Sequence, residues 1–162
     1  MLENPLVGII MDSEADWSTM QKSTEILDEL GITNEARVIS AHQTPACLEK
    51  YVSTARERGV KVIIAGAGKA AVLPGAAAAL TSLPVLGVPM KTADLDGRDS
   101  LLSIVQMPAG KPVGTLAIGT AGATNAGLFA AAILALGDDT IAGALKDWRD
   151  RLTASVPDTP QA

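Results

Sequence analysis

Five short apolar runs recur along the chain, and each is followed by a turn of small residues and then a helical pattern. Leu6-Val7-Gly8-Ile9-Ile10-Met11 is the first. It is continuous rather than alternating, as expected of a strand covered on both faces. The others are Ala36 to Ser40, Lys61 to Ala65, Val85 to Val88 and Val113 to Ile118. Between them, Trp17, Met20, Leu27 and Leu30 recur near helical spacing up to Gly31, a natural helix stop. Leu48, Tyr51, Val52 and Ala55 do the same up to Gly59, behind Thr44 as cap and Pro45 at the first helical position. Pro74-Gly75 opens an alanine helix through Leu80, and Ala126 to Leu136 is nearly all alanine and aliphatic. Asp138 to Leu152 reads as a last amphipathic helix, and residues 153–162 as a tail. Pro89 to Ser100 reads as a polar loop, and Leu101 to Val105 as a short apolar segment. Strand and helix alternating five times with short connections predicts one α/β domain over residues 1–152. The expected architecture is a doubly wound parallel sheet in a three-layer α/β/α sandwich.

Composition narrows what such a domain does. Hydrophobic residues make up 48%, charged residues 19% and aromatics 2%, so the core must be aliphatic. Formal net charge is -5 with no basic run, which argues against nucleic acid as a partner. The apolar runs are too short and too interrupted by glycine for a membrane span. Met1 to Pro5 starts acidic and breaks at proline, so no secretory leader is expected, and a cytoplasmic protein is. The single cysteine, Cys47, falls inside a predicted helix and reads as packing rather than as a nucleophile. The Ala126–Leu136 helix is apolar all round, which in so small a domain predicts burial by other subunits.

Open parallel sheets place their chemistry at the carboxyl ends of the strands. The loops expected there are 12–16, 40–45, 66–72, 89–91 and 119–125. The second holds the only histidine, in Ser40-Ala41-His42-Gln43-Thr44-Pro45. An imidazole at that place can give and take a proton near neutral pH; the plain alternative is a surface or capping residue. Asp12-Ser13-Glu14-Ala15-Asp16 offers short hydroxyls and carboxylates at a helix start, suited to a phosphate or sugar, or simply to capping. Gly66-Ala67-Gly68-Lys69-Ala70-Ala71 is glycine-rich but is neither a Walker A loop nor a strict GxGxxG. Lys69 is there either a site cation or a solvated side chain.

Taken together, these segments resemble the PurE family, the class I N5-carboxyaminoimidazole ribonucleotide mutases of purine biosynthesis, over about residues 6 to 150. The family's motifs look like G-S-x-S-D-W, S-A-H-R-T-P, G-A-G-G-A-A-H-L-P-G, D-S-L-L-S-I-V-Q-M-P and A-I-G-x-A-G-A-x-N-A. This chain has Asp12 to Trp17, Ser40 to Pro45, Gly66 to Gly75, Asp99 to Pro108 and Ala117 to Ala126 in the same order. The resemblance implies a flavodoxin-like homo-octamer with sites at subunit contacts and no metal or organic cofactor. It implies a reaction that moves a carboxylate from an exocyclic nitrogen to a ring carbon, by way of decarboxylation and recapture of CO2. Carried over, His42 is the general acid/base, Ser13 and Ser40 hold phosphate or carboxylate oxygens, and Asp16 holds the ribose hydroxyls. Gly68, Lys69 and Ala70 line the CO2 and imidazole end.

Five loop positions depart from the pattern. Asp12 replaces a glycine, Ala15 a serine, Gln43 an arginine, Lys69 a glycine and Val72 a histidine. Gln43 removes a guanidinium suited to a phosphate, and Asp12 adds a carboxylate that would repel one. Lys69 adds a cation able to hold a substrate carboxylate that Val72 does not meet. From these changes the sequence predicts a diverged paralogue that keeps carboxylate chemistry on another small carboxylated molecule. The alternatives are a genuine N5-carboxyaminoimidazole ribonucleotide mutase, in which Lys69 compensates for the lost guanidinium, and a catalytically silent oligomeric binding protein.

Overall fold

The computed structural model describes residues 4–159. Its five parallel strands are β1 (Val7–Met11), β2 (Asn34–Val38), β3 (Val62–Ala67), β4 (Val85–Pro89) and β5 (Gly114–Thr115). The helices are α1 (Trp17–Glu29), α2 (Pro45–Ala55), α3 (Leu73–Leu80), α4 (Arg98–Val105), α5 (Thr120–Leu134) and α6 (Asp139–Ala154). A single 3-10 turn, Glu14–Asp16, precedes α1. The sheet order is β2-β1-β3-β4-β5, with every neighbouring pair parallel. That is the flavodoxin-like order, and its direction reverses between β1 and β3, where open sheets of this kind bind ligands.

The period-two side-chain alternation of the strands builds two aliphatic cores. Val7, Ile9, Met11, Val62, Ile64, Leu86 and Val88 face one side and pack against α1, α5 and α6. Ile10, Ile63, Ala65 and Val85 face the other and pack against α2, α3 and α4. β1, β3 and β4 are buried along their whole length, which explains their unbroken apolar sequences. β2 lies at an edge, and its residues Ala36 to Val38 are exposed. It begins two residues before the sequence-based expectation, at polar Asn34 and Glu35, because an edge strand has no second neighbour to demand apolar residues.

Three further differences have local causes. β5 pairs over two residues, shorter than the apolar run Val113 to Ile118. Beyond it the chain still donates singly, Leu116 N–H to Gly87 O at 2.9 Å and Gly119 N–H to Pro89 O at 2.9 Å. The stretch read as a loop and an apolar segment contains helix α4, which starts after Gly97 at φ +83°. Helix α5 starts at Thr120, six residues before the alanine run, because small residues bring its first turns against the chain. A Cβ at Gly122 would strike the Ala117 carbonyl, and one at Gly127 would lie 2.7 Å from Ile26 Cγ2 on α1. Ser23 Oγ on α1 donates to Ala123 O at 2.7 Å in the same contact.

Burial of α5 is one-sided in this chain rather than all round. Ala123, Ala126, Ala130 and Ala131 are fully buried, while Phe129 is 47% exposed. Among the described residues, no helix is long and apolar enough to cross a membrane.

Candidate active site

The predicted residues fall into three loops that leave β1, β2 and β3 at their carboxyl ends. These are adjacent strands, so the sheet order brings the loops side by side at the reversal point. On β3, Gly66 leaves room for two methionines, since a Cβ there would come within 2.9 Å of Met20 Cγ and Met90 Cε.

Asp12 is the first residue past β1. Its N–H donates to Gly66 O on β3 at 3.1 Å, and its Oδ1 accepts the Ala41 N–H from the β2 loop at 3.0 Å. The sequence predicted a carboxylate that would repel a phosphate. In the structure one oxygen of the Asp12 carboxylate is taken up as a backbone acceptor between two loops. Ser13 Oγ caps the 3-10 turn by accepting from Ala15 N–H at 3.1 Å. Asp16 stands at the head of α1 without a side-chain capping bond. Burial pushes its carboxyl above the ordinary aspartate range; the Asp12 charge adds to the rise, and a backbone hydrogen bond with Ser13 opposes it.

The Ser40–Pro45 turn closes on itself. Ser40 is 6% exposed. Its N–H donates to Thr44 Oγ1 at 3.0 Å, its Oγ accepts from Gln43 N–H at 3.2 Å, and its carbonyl accepts from Thr44 N–H at 2.9 Å. Thr44 occupies the cap position predicted for it, but its hydroxyl turns back to Ser40 instead of capping α2. His42 and Gln43 stand exposed on the outside of this closed turn.

In the third loop, Gly68 packs against Met90 and Thr92, leaving 3.2 Å between a Cβ and Thr92 Cγ2. Lys69 has φ +59°, in the left-handed region that favours glycine. Its N–H donates to Ser100 Oγ at 3.0 Å, and its ammonium lies 3.8 Å from Asp94. Lys69 is thus tied to the β4–α4 connection. Ala70 is exposed, and Val72, 42% exposed, takes the cap position of α3. Sequence reasoning did not single out Ser100, a fully buried hydroxyl on α4 that supports the Lys69 turn. No local signal marked it, since Ser100 follows Arg98 and Asp99 at the polar start of α4. A separate cavity of about 250 Å3 beside the first turn is lined by Met11, Glu14, Trp17 and Ala36 to Val38, none of them predicted site residues.

Among the described residues, no group of three or more histidine, cysteine, aspartate or glutamate side chains is arranged to hold a metal ion. The three loops after β1, β2 and β3 present hydroxyls, carboxylates, backbone amides, the Lys69 ammonium and the His42 imidazole.

A flavodoxin-like sheet with three loops at its reversal point and a histidine on the second places the chain in the class of open α/β proteins whose sites lie at strand ends. Within that class, the chain belongs to the AIR carboxylase (PurE) family, whose model matches residues 6–155. It is 58% identical to the N5-carboxyaminoimidazole ribonucleotide mutase of Brucella melitensis biotype 1, over 95% of both chains. It is 59% identical to the mutase of Vibrio vulnificus, over 95% of this chain and 96% of that one. The Bacillus subtilis mutase is 57% identical over 94% of each. The fold matches the crystal structure of Treponema denticola PurE with a TM-score of 0.80 at 27% identity, covering 93% of this chain and 92% of that one.

These relatives overturn the expectation of a different substrate. The expectation rested on a few loop side chains, and identity at this level across the chain to several mutases outweighs it.

Proposed function

We propose that this chain is an N5-carboxyaminoimidazole ribonucleotide mutase, moving a carboxylate from the exocyclic nitrogen of its substrate to a ring carbon. The observation that carries the reading is identity of 57–59% with mutases along 94–95% of the chain. The substrate is a small carboxylated ribonucleotide.

His42 is the general acid/base. As the carbamate C–N bond breaks, CO2 leaves and the exocyclic nitrogen receives a proton from the imidazolium. The ring carbon then attacks the retained CO2, and the proton it loses returns to His42. Net proton uptake is zero, so a single imidazole suffices for both transfers. Ser13 and Ser40 hold phosphate or carboxylate oxygens, Asp16 the ribose hydroxyls, and Gln43 a polar contact where the family has arginine. Gly68, Lys69, Ala70 and Val72 line the CO2 and imidazole end, where the Lys69 ammonium provides the positive charge. We place the activity in a single domain, residues 1–152 with a short tail, of a cytoplasmic homo-octamer; exposed Phe129 on α5 supports further burial by neighbouring copies.

Introduction of the gene into a purine-requiring strain that lacks its own mutase tests the reading. Growth without purine, lost with His42→Asn at equal protein levels, is expected. Failure of the expressed, folded protein to restore growth would overturn it.

A further inference from the structure

Asp12 occupies a place that parallel strand geometry leaves open. Ladder bonds between parallel strands are evenly spaced, with alternate residues of one strand donating to the other. Between β2 and β1 the last such bond runs from Ile39 N–H to Met11 O at 2.8 Å. Two residues on, the Ala41 N–H would look for the next carbonyl of β1. The chain has already turned away there, into Ser13 and the 3-10 turn. The Asp12 carboxylate supplies the missing acceptor, at 3.0 Å from Ala41 N. Asp12 is itself fixed from the other side, through its N–H to Gly66 O on β3. One residue thus joins the ends of three strands, and the amide it captures belongs to the residue immediately before His42.

The rest of the His42 turn is stitched only to itself in these contacts, through Ser40, Gln43 and Thr44. Its hydrogen-bonded attachment to the sheet past Ile39 is the Asp12–Ala41 bond, beside the packing of Ala41 on the core. A glycine or alanine at position 12 has no side-chain acceptor to offer. We infer that Asp12 is a positioning residue for His42, anchoring the histidine turn to β1 by accepting the Ala41 N–H. The inference rests on the proposed acid/base role of His42, and it deepens that reading by naming what fixes the imidazole's backbone. A carboxylate acceptor makes a shorter and stronger bond than a neutral one, and small displacements of a catalytic group carry large rate penalties.

Three proteins test this: wild type, Asp12→Ala and Asp12→Asn, with Asp12→Gly standing in for alanine if that variant does not fold. Each is assayed for mutase kcat and KM and for hydrogen exchange at the Ala41 amide. Removal of the acceptor is expected to lower kcat by roughly tenfold to a hundredfold with a smaller change in KM, and to speed Ala41 exchange. Asp12→Asn, which keeps an oxygen at the same place, is expected to recover most of both losses. Unchanged Ala41 exchange in Asp12→Ala, or an asparagine variant as impaired as alanine, would overturn the inference. If wild type itself shows no mutase activity, the functional reading fails, and the exchange data alone still decide whether Asp12 holds the turn.

Discussion

Lys69 donates its backbone N–H to the buried Ser100 hydroxyl at 3.0 Å while holding φ +59°, so a residue with a side chain occupies a glycine conformation with a polar anchor beneath it. The left-handed region is unfavourable for an L-residue by roughly 1–2 kcal/mol, and glycine loses part of that advantage through its greater unfolded-state freedom. The Lys69–Asp94 pair offsets little, since both side chains are 75% exposed.

Lys69→Gly is therefore expected to stabilise the fold by roughly 0.5–1 kcal/mol in chemical denaturation. The same change should weaken substrate binding if the ammonium serves the site. A variant less stable than wild type would contradict the conformational argument.

Asp16 carries the pH prediction. Its carboxyl is raised in the fold, mainly by burial. A raised acid favours the folded state while it is protonated. That contribution is full below the unfolded aspartate value near 3.9 and is lost as pH rises through the higher folded value. At neutral pH the ionised Asp16 thus lowers stability. Asp16→Asn should raise Tm at pH 7 and lose that advantage at pH 3, while impairing turnover if Asp16 holds the ribose. Equal effects on Tm at both pH values would refute the assignment.

The only tyrosine reports on the β2 edge. Tyr51 hydroxyl is buried with no hydrogen-bonding partner of normal geometry, and its ring lies under Arg58 at 4.6 Å. Burial first, then the Glu35 charge, pushes its phenol up to about 12. Burial alone would raise Glu35 too, but its bond with Arg58 prevails and holds that carboxyl below the usual range. With one tyrosine in the chain, phenolate absorbance follows this group alone. In the folded protein it should not develop until pH approaches about 12. Its stabilising contribution is complete below about 10 and declines as pH rises through that folded value. Phenolate appearing near pH 10 with the fold intact would contradict the buried placement.

The strands that the sequence revealed best are those whose environment is uniform. β1, β3 and β4 are buried on both faces, and composition alone marks them. β2 and β5 are edges, where half the pairing demand is gone, and their limits moved accordingly. Helix α4 was hidden because its first turn, Arg98 to Ser100, is polar. The first turns of α5 were hidden because close packing there requires glycine and alanine, which read as a turn. For the site, the loops and the place of His42 were legible from the strand-helix alternation. The direction of individual side chains was not. Whether Asp12 faces a ligand or a backbone amide depends on where β1 turns from β2, and the strained Lys69 conformation depends on Ser100, thirty-one positions away.

The most direct measurement is to incubate the purified protein with N5-carboxyaminoimidazole ribonucleotide and follow loss of the carbamate together with appearance of the carbon-carboxylated isomer. The account predicts that the isomer forms as the carbamate disappears, well above the uncatalysed rate, and that His42→Asn abolishes the conversion with the fold intact. A folded protein that leaves the substrate unconverted, or a His42→Asn variant with undiminished activity, would contradict it.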